Sequence, residues 1–222
     1  MKYIKYVILL ILVFLGSYYI YQTSIDKAKT TKSPEDDLGS INDLIVIAHP
    51  GDEVIWASRL LNKEETLIIC VSCGTNGDTD EEFKEVAKLN KNKYKFLNIP
   101  THQDEIYDDW INSYDIIEKE IDAVLRSRHW EKIYTYSPEN IADETHHRIL
   151  SRITTQSAIR QRLSNNLYYF APYFSEEEEK EVNLSEEELE EKNELMNNYI
   201  SLEAKKAKFQ YLFAHEEIIK YR

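Results

Sequence analysis

The chain has 222 residues, enough for one domain with a sizeable core plus additional segments. Acidic residues number 40 against 27 basic ones, giving a net charge of −13, and no basic stripe marks a nucleic-acid partner. Two cysteines are too few for a disulfide-built secreted module.

The first segment reads as a membrane element. No charge occurs from Tyr6 to Ile25, and Val7 to Leu15 is wholly apolar. Tyr3, Tyr6, Tyr18, Tyr19 and Tyr21 flank that run as an aromatic belt would. About 20 uncharged residues suffice to span a hydrocarbon core, so residues 1–25 are expected to form a single-pass transmembrane anchor. A cleaved signal peptide is the alternative. Lysines lie on both sides of the run, so orientation and compartment stay open. Residues 26–40 are polar and read as a linker. The globular domain is expected over 41–222.

Leu44 to Ile47 is a short apolar run of the kind that forms a buried parallel strand. Pro50-Gly51 stops it, and Val54 to Leu61 reads as a helix. Thr66 to Val71 is the second predicted strand. Cys70 and Cys73 fall at its end, where they read as small buried hydrophobes. A helix is predicted over 81–91, a strand over 94–99 and an amphipathic helix over 115–126. Ile133 to Tyr136 is the fourth strand, followed by a loop to about Thr145 and a helix over 146–160. Leu167 to Phe170 is the fifth strand.

The stretch 175–194 is an acidic insertion. It holds eleven acidic and two basic residues, nine of the thirteen net negative charges, and reads as a solvated loop and helix start. A long C-terminal helix is predicted over 189–214. Strands alternating with helices give an α/β class, with a Rossmann-like, mostly parallel sheet flanked by helices.

Ligands bind at the carboxyl edge of such sheets. His49 and Asp52 lie there, after the first strand, and imidazole plus carboxylate suits a zinc ion. The loop after the fourth strand carries Asp143, Glu144, His146 and His147. It ends at the same edge, so the two loops together supply three ligands for a catalytic zinc. His102, His129 and His215 read as ordinary residues outside this group.

These residues match a family. The chain resembles the PIG-L/LmbE zinc N-deacetylases, which remove acetyl groups from N-acetylglucosamine-containing molecules. The family's A-H-P-D-D-E signature reads Ala48-His49-Pro50-Gly51-Asp52-Glu53 here. Its second signature, T-x-x-P-E ending in H-x-x-H, matches at Thr135, Pro138, Glu139 and His147. The resemblance runs from about Leu44 to Phe170, with a weaker echo at Tyr199-Ile200-Ser201. It implies zinc on His49, Asp52 and His147, and a one-residue slip would put His146 in place of His147.

Three family positions differ. The general base is Gly51 here, the assisting histidine is Glu144, and a substrate-holding arginine is Thr79. Glu144 or Asp143 could move protons in place of the missing base, while Glu53 reads as a helix cap. The function implied is a membrane-anchored zinc hydrolase that deacetylates an N-acetylated amino sugar, with a lipid-linked conjugate among the candidates. The alternative is an inactive metal- or sugar-binding homologue.

Overall fold

The computed structural model describes residues 40–61, 66–74, 77–103, 106–139, 145–170, 182–208 and 213–222. All lie in one compact unit spanning residues 32–222.

The main sheet has six strands: β1 (Asp43–Ile47), β2 (Thr66–Cys70), β3 (Lys93–Phe96), β6 (Lys132–Tyr136), β7 (Leu167–Phe170) and β8 (Ile218–Lys220). Their order is β3-β2-β1-β6-β7-β8. The first five run parallel, and β8 is antiparallel to β7. A separate hairpin pairs β4 (His102–Gln103) with β5 (Ile106–Tyr107). Leu44 to Ile47 are fully buried because helices cover both faces of β1. Each such side chain contributes roughly 1.5–3 kcal/mol by leaving water.

The order sets the site. From β1 the chain moves outward through β2 and β3, then returns to place β6 on the other side of β1. The carboxyl ends of β1 and β6 therefore flank the topological switch point, where a crevice opens.

The helices are α1 (Asp52–Leu61), α2 (Gly77–Leu89), α3 (Tyr114–Ser127), α4 (Thr145–Arg160), α5 (Glu186–Met196) and α6 (Glu203–Lys208). Ala57 (φ −147°, ψ 29°) kinks α1. The Glu216 carboxylate then accepts from the backbone N–H groups of Ser58 and Arg59 just past the kink, at 3.0 and 3.2 Å. Lys192 Nζ, buried on α5, donates to Glu216 at 2.7 Å and to the Ile55 carbonyl at 2.7 Å. This network joins α1, α5 and the C-terminal segment. Ser185 caps α5 in a reciprocal box with Glu188, so the glutamates there open a helix as the sequence suggests.

Three expectations are corrected. No helix of the described residues is long and apolar enough to cross a membrane, and the segment 6–25 lies outside them. The transmembrane helix, the membrane localisation and the membrane partner are not carried further. The helix predicted over 189–214 is interrupted: α5 stops at Met196, a 3-10 turn follows at Ile200–Leu202, and α6 is short. Cys70 and Cys73 are both buried but joined in a disulfide, with Cα atoms 5.4 Å apart. Glu53, in the first turn of α1, is buried, and its side chain also accepts from the Tyr199 hydroxyl.

Candidate metal centre

The β1–α1 turn delivers the first two groups. Pro50 and Gly51 reverse the chain, and Gly51 takes φ +85°, a region L side chains rarely adopt. Asp52 opens α1, where the helix N-terminus favours a carboxylate. Its Oδ2 accepts from the His49 backbone N–H at 2.9 Å, which folds the carboxylate back over the strand end. From β6, Tyr136 donates its hydroxyl to the same oxygen at 2.5 Å and accepts from the Ala48 N–H at 2.9 Å. From the first turn of α4, His147 brings Nε2 to 3.3 Å from Asp52 Oδ2, its ring stacked on Tyr136 with centroids 4.0 Å apart.

His49, Asp52 and His147 thus come together. Each offers one ligand atom, and these atoms lie within 4.8 Å of one another. Asp52 and His147 are fully buried, while the His49 side chain is 17% exposed. The expected ligands are the ones that cluster.

His146 does not join the three. Its Nε2 sits against the Asp108 carbonyl, which can only accept, so Nε2 carries the proton. Its Nδ1 pairs with His49 Nε2 at 2.9 Å. His49 Nδ1 lies 3.3 Å from Asp52 Oδ2. His146 is held in place by stacking on Trp110, with centroids 3.9 Å apart.

The electrostatics agree. Burial pushes the His49 imidazole below its ordinary value, against the pull of Asp52. Burial alone would raise the Asp52 carboxyl, but Lys205, His147 and the hydrogen bonds hold it well below the usual carboxylate range. Burial lifts Glu53 to about 7 despite the Tyr199 hydrogen bond.

A cleft of about 510 Å³ opens above the cluster. His49, His146, His102 and Tyr107 line one part of its wall, and Leu202 and Lys205 another. His102 therefore faces the cleft, although its sequence context gives no hint of it. His129 precedes the buried Trp130 before β6, and His215 follows α6, near Glu217 at 3.9 Å. Asp143 and Glu144 lie outside the described residues.

Residues far along the chain complete the site. Lys205 Nζ lies 2.7 Å from Asp52 Oδ1. Leu202 covers Gly51: a Cβ there would sit 2.6 Å from its Cδ1. Thr79, at the family's arginine position, pairs its hydroxyl with Ser201 at 3.0 Å. The only sequence signal for this segment is the weak echo at 199–201.

The family described as "PIG-L: GlcNAc-PI de-N-acetylase" matches residues 44–158, from β1 into α4. The chain belongs to the PIG-L family. This makes it a hydrolase- or deacetylase-like protein with a candidate His49/Asp52/His147 metal triad. The chain is also similar to the solved structure of N,N'-diacetylchitobiose deacetylase from Pyrococcus horikoshii, complexed with its inhibitor MPG. The match covers 78% of this chain and 75% of that one, with a TM-score of 0.51 and 14% identity, a likeness of fold. No curated protein matches the chain.

Proposed function

We propose that this PIG-L-family chain is a zinc-dependent hydrolase that removes the N-acetyl group from an N-acetylglucosamine-containing conjugate. His49, Asp52 and His147 are the proposed ligands. The observation that carries this reading is the cluster of His49, Asp52 and His147, which brings one ligand atom from each within 4.8 Å of the others. A nitrogen, a carboxylate oxygen and a second nitrogen in a buried cluster suit zinc, with a side open to the cleft. Zinc bound there supplies Lewis acidity toward an amide carbonyl and toward water.

The chain's own residues do the rest. His146 hydrogen-bonds to His49 and holds its ring in place, and Tyr136 fixes the Asp52 carboxylate. Asp143 or Glu144 is the proposed proton carrier. Its carboxylate takes a proton as water adds to the acetamide, then returns it to the departing amine as the C–N bond breaks, leaving acetate and a free amino sugar. Tyr107, about half exposed at 49%, offers an aromatic wall for a sugar ring at the cleft mouth.

Acetate release from N-acetylglucosamine conjugates by the zinc-loaded protein tests this reading. Turnover that disappears in Asp52→Asn supports it. No acetate from any conjugate with zinc bound counts against it.

A second reading has its own observation. Gly51, at the family's base position, has its space taken by Leu202, which favours a homologue that binds metal or sugar without turnover.

A further inference from the structure

The two oxygens of Asp52 have different surroundings. Oδ2 faces Tyr136, His49 and His147. Oδ1 faces the ammonium of Lys205 at 2.7 Å. The Asp52 side chain is fully buried, and that of Lys205 is only 15% exposed. Lys205 also donates to the Pro50 carbonyl at 3.3 Å.

This ammonium is anchored by the segment that carries it. Tyr199 donates its hydroxyl to Glu53. The Ser201 backbone N–H donates to Glu82 at 3.0 Å. Leu202 packs over Gly51. One stretch, 199–205, therefore holds both the β1–α1 turn and the start of α2, and it places a positive charge beside the proposed metal ligand.

A buried carboxylate needs a partner, because its charge is strongly disfavoured in a low-dielectric interior. Where a metal is the sole partner, removing the metal leaves that charge uncompensated. Here the chain supplies its own cation. The same cation lies close enough to repel a divalent ion at the cluster, and such repulsion is poorly screened away from water.

We propose that Lys205 is a built-in counter-cation for Asp52, which stabilises the metal-free cluster and competes electrostatically with a divalent metal for it. The inference rests on reading His49, Asp52 and His147 as a metal site. It makes folding independent of metal and metal loading dependent on metal concentration.

The test compares the full-length wild type with Lys205→Met, Lys205→Gln and Lys205→Arg. Zinc affinity is measured by competition with a chromophoric chelator, and melting is followed in EDTA and in zinc. Both neutral variants should bind zinc at least about tenfold more tightly than the wild type. They should also melt lower in EDTA and gain more on adding zinc. Lys205→Arg should behave as the wild type in all three respects. A neutral variant that folds only with zinc is the same outcome in its strongest form.

Equal or weaker zinc binding by the neutral variants overturns the proposal. So does a shift shared by Lys205→Arg, which would assign the effect to packing. Zinc binding by the wild type that is lost in His49→Ala, with Lys205→Met unchanged, defeats this inference alone. Zinc binding by none of the proteins defeats the metal-site reading and this inference together.

Discussion

Gly51→Asp puts a carboxylate at the position that the family resemblance implies for the general base, and the structure sets its cost. At φ +85° a Cβ is disfavoured, by about 1–2 kcal/mol. The new Cβ would also lie 2.6 Å from Leu202 Cδ1, and overpacking of this kind costs about 1–3 kcal/mol. Together these come to about 2–5 kcal/mol, so the melting temperature should fall by roughly 4–20 °C for a domain of this size. Leu202→Ala removes the steric part and leaves the backbone part. Thermal unfolding of the two single variants and the double variant should show a coupling of about 1–3 kcal/mol. Additivity within about 0.3 kcal/mol would refute the claim that Leu202 fills the space of the missing side chain. Gly51→Ala serves as the control that carries the Cβ without the carboxylate. Acetate release from the same proteins separates the two functional readings. An inactive wild type that gains turnover only in Gly51→Asp/Leu202→Ala supports the binding homologue. A wild type that already turns over, with nothing added by the double variant, removes that reading.

His146→Phe keeps the stack on Trp110 but removes the hydrogen-bond partner of His49 Nε2. Zinc affinity measured by chelator competition should fall by about 10–100-fold with the fold intact. Lys192→Met leaves Glu216 buried without its ammonium, and urea unfolding should show a loss of about 3–5 kcal/mol. Lys192→Met/Glu216→Gln should recover part of it. Glu188 is held down at about 2, chiefly by the Arg59 hydrogen bond. A carboxyl with a lowered folded value contributes stability above its unfolded value of 4.5 and loses it as pH falls toward about 2. The urea midpoint difference between wild type and Glu188→Gln should therefore shrink from about pH 5 downward, and also with added salt.

The apolar runs of β1, β2, β6 and β7 are legible in the sequence because parallel strands buried on both faces leave an unbroken apolar signature. The His49–Asp52 turn is legible for a related reason: a strand stopped by Pro50-Gly51 presents the next residues at the sheet edge. The same geometry applied to β6 points to the loop that leads into His146 and His147, and the family resemblance singles out His147. Short or exposed elements are not legible. β8 is three residues long and largely exposed, and β4 and β5 have two residues each. The C-terminal helix breaks just past Met196, where the Asn198 side-chain amide donates to the Glu194 and Leu195 carbonyls in competition with the helical backbone. The disulfide is hidden because the turn after β2, not a helix, brings Cys70 and Cys73 together. Lys205 and Leu202 are hidden because their partners lie about 150 positions earlier in the chain, and no local pattern links an ammonium in a short helix to a carboxylate that far away.

Zinc stoichiometry of the purified full-length chain tests the central claim most directly, measured beside His49→Ala, Asp52→Asn and His147→Ala after loading and desalting. One zinc per chain in the wild type, lost in each of the three variants, is the predicted result. A wild type that retains no zinc, or variants that retain as much as the wild type, would contradict the metal centre.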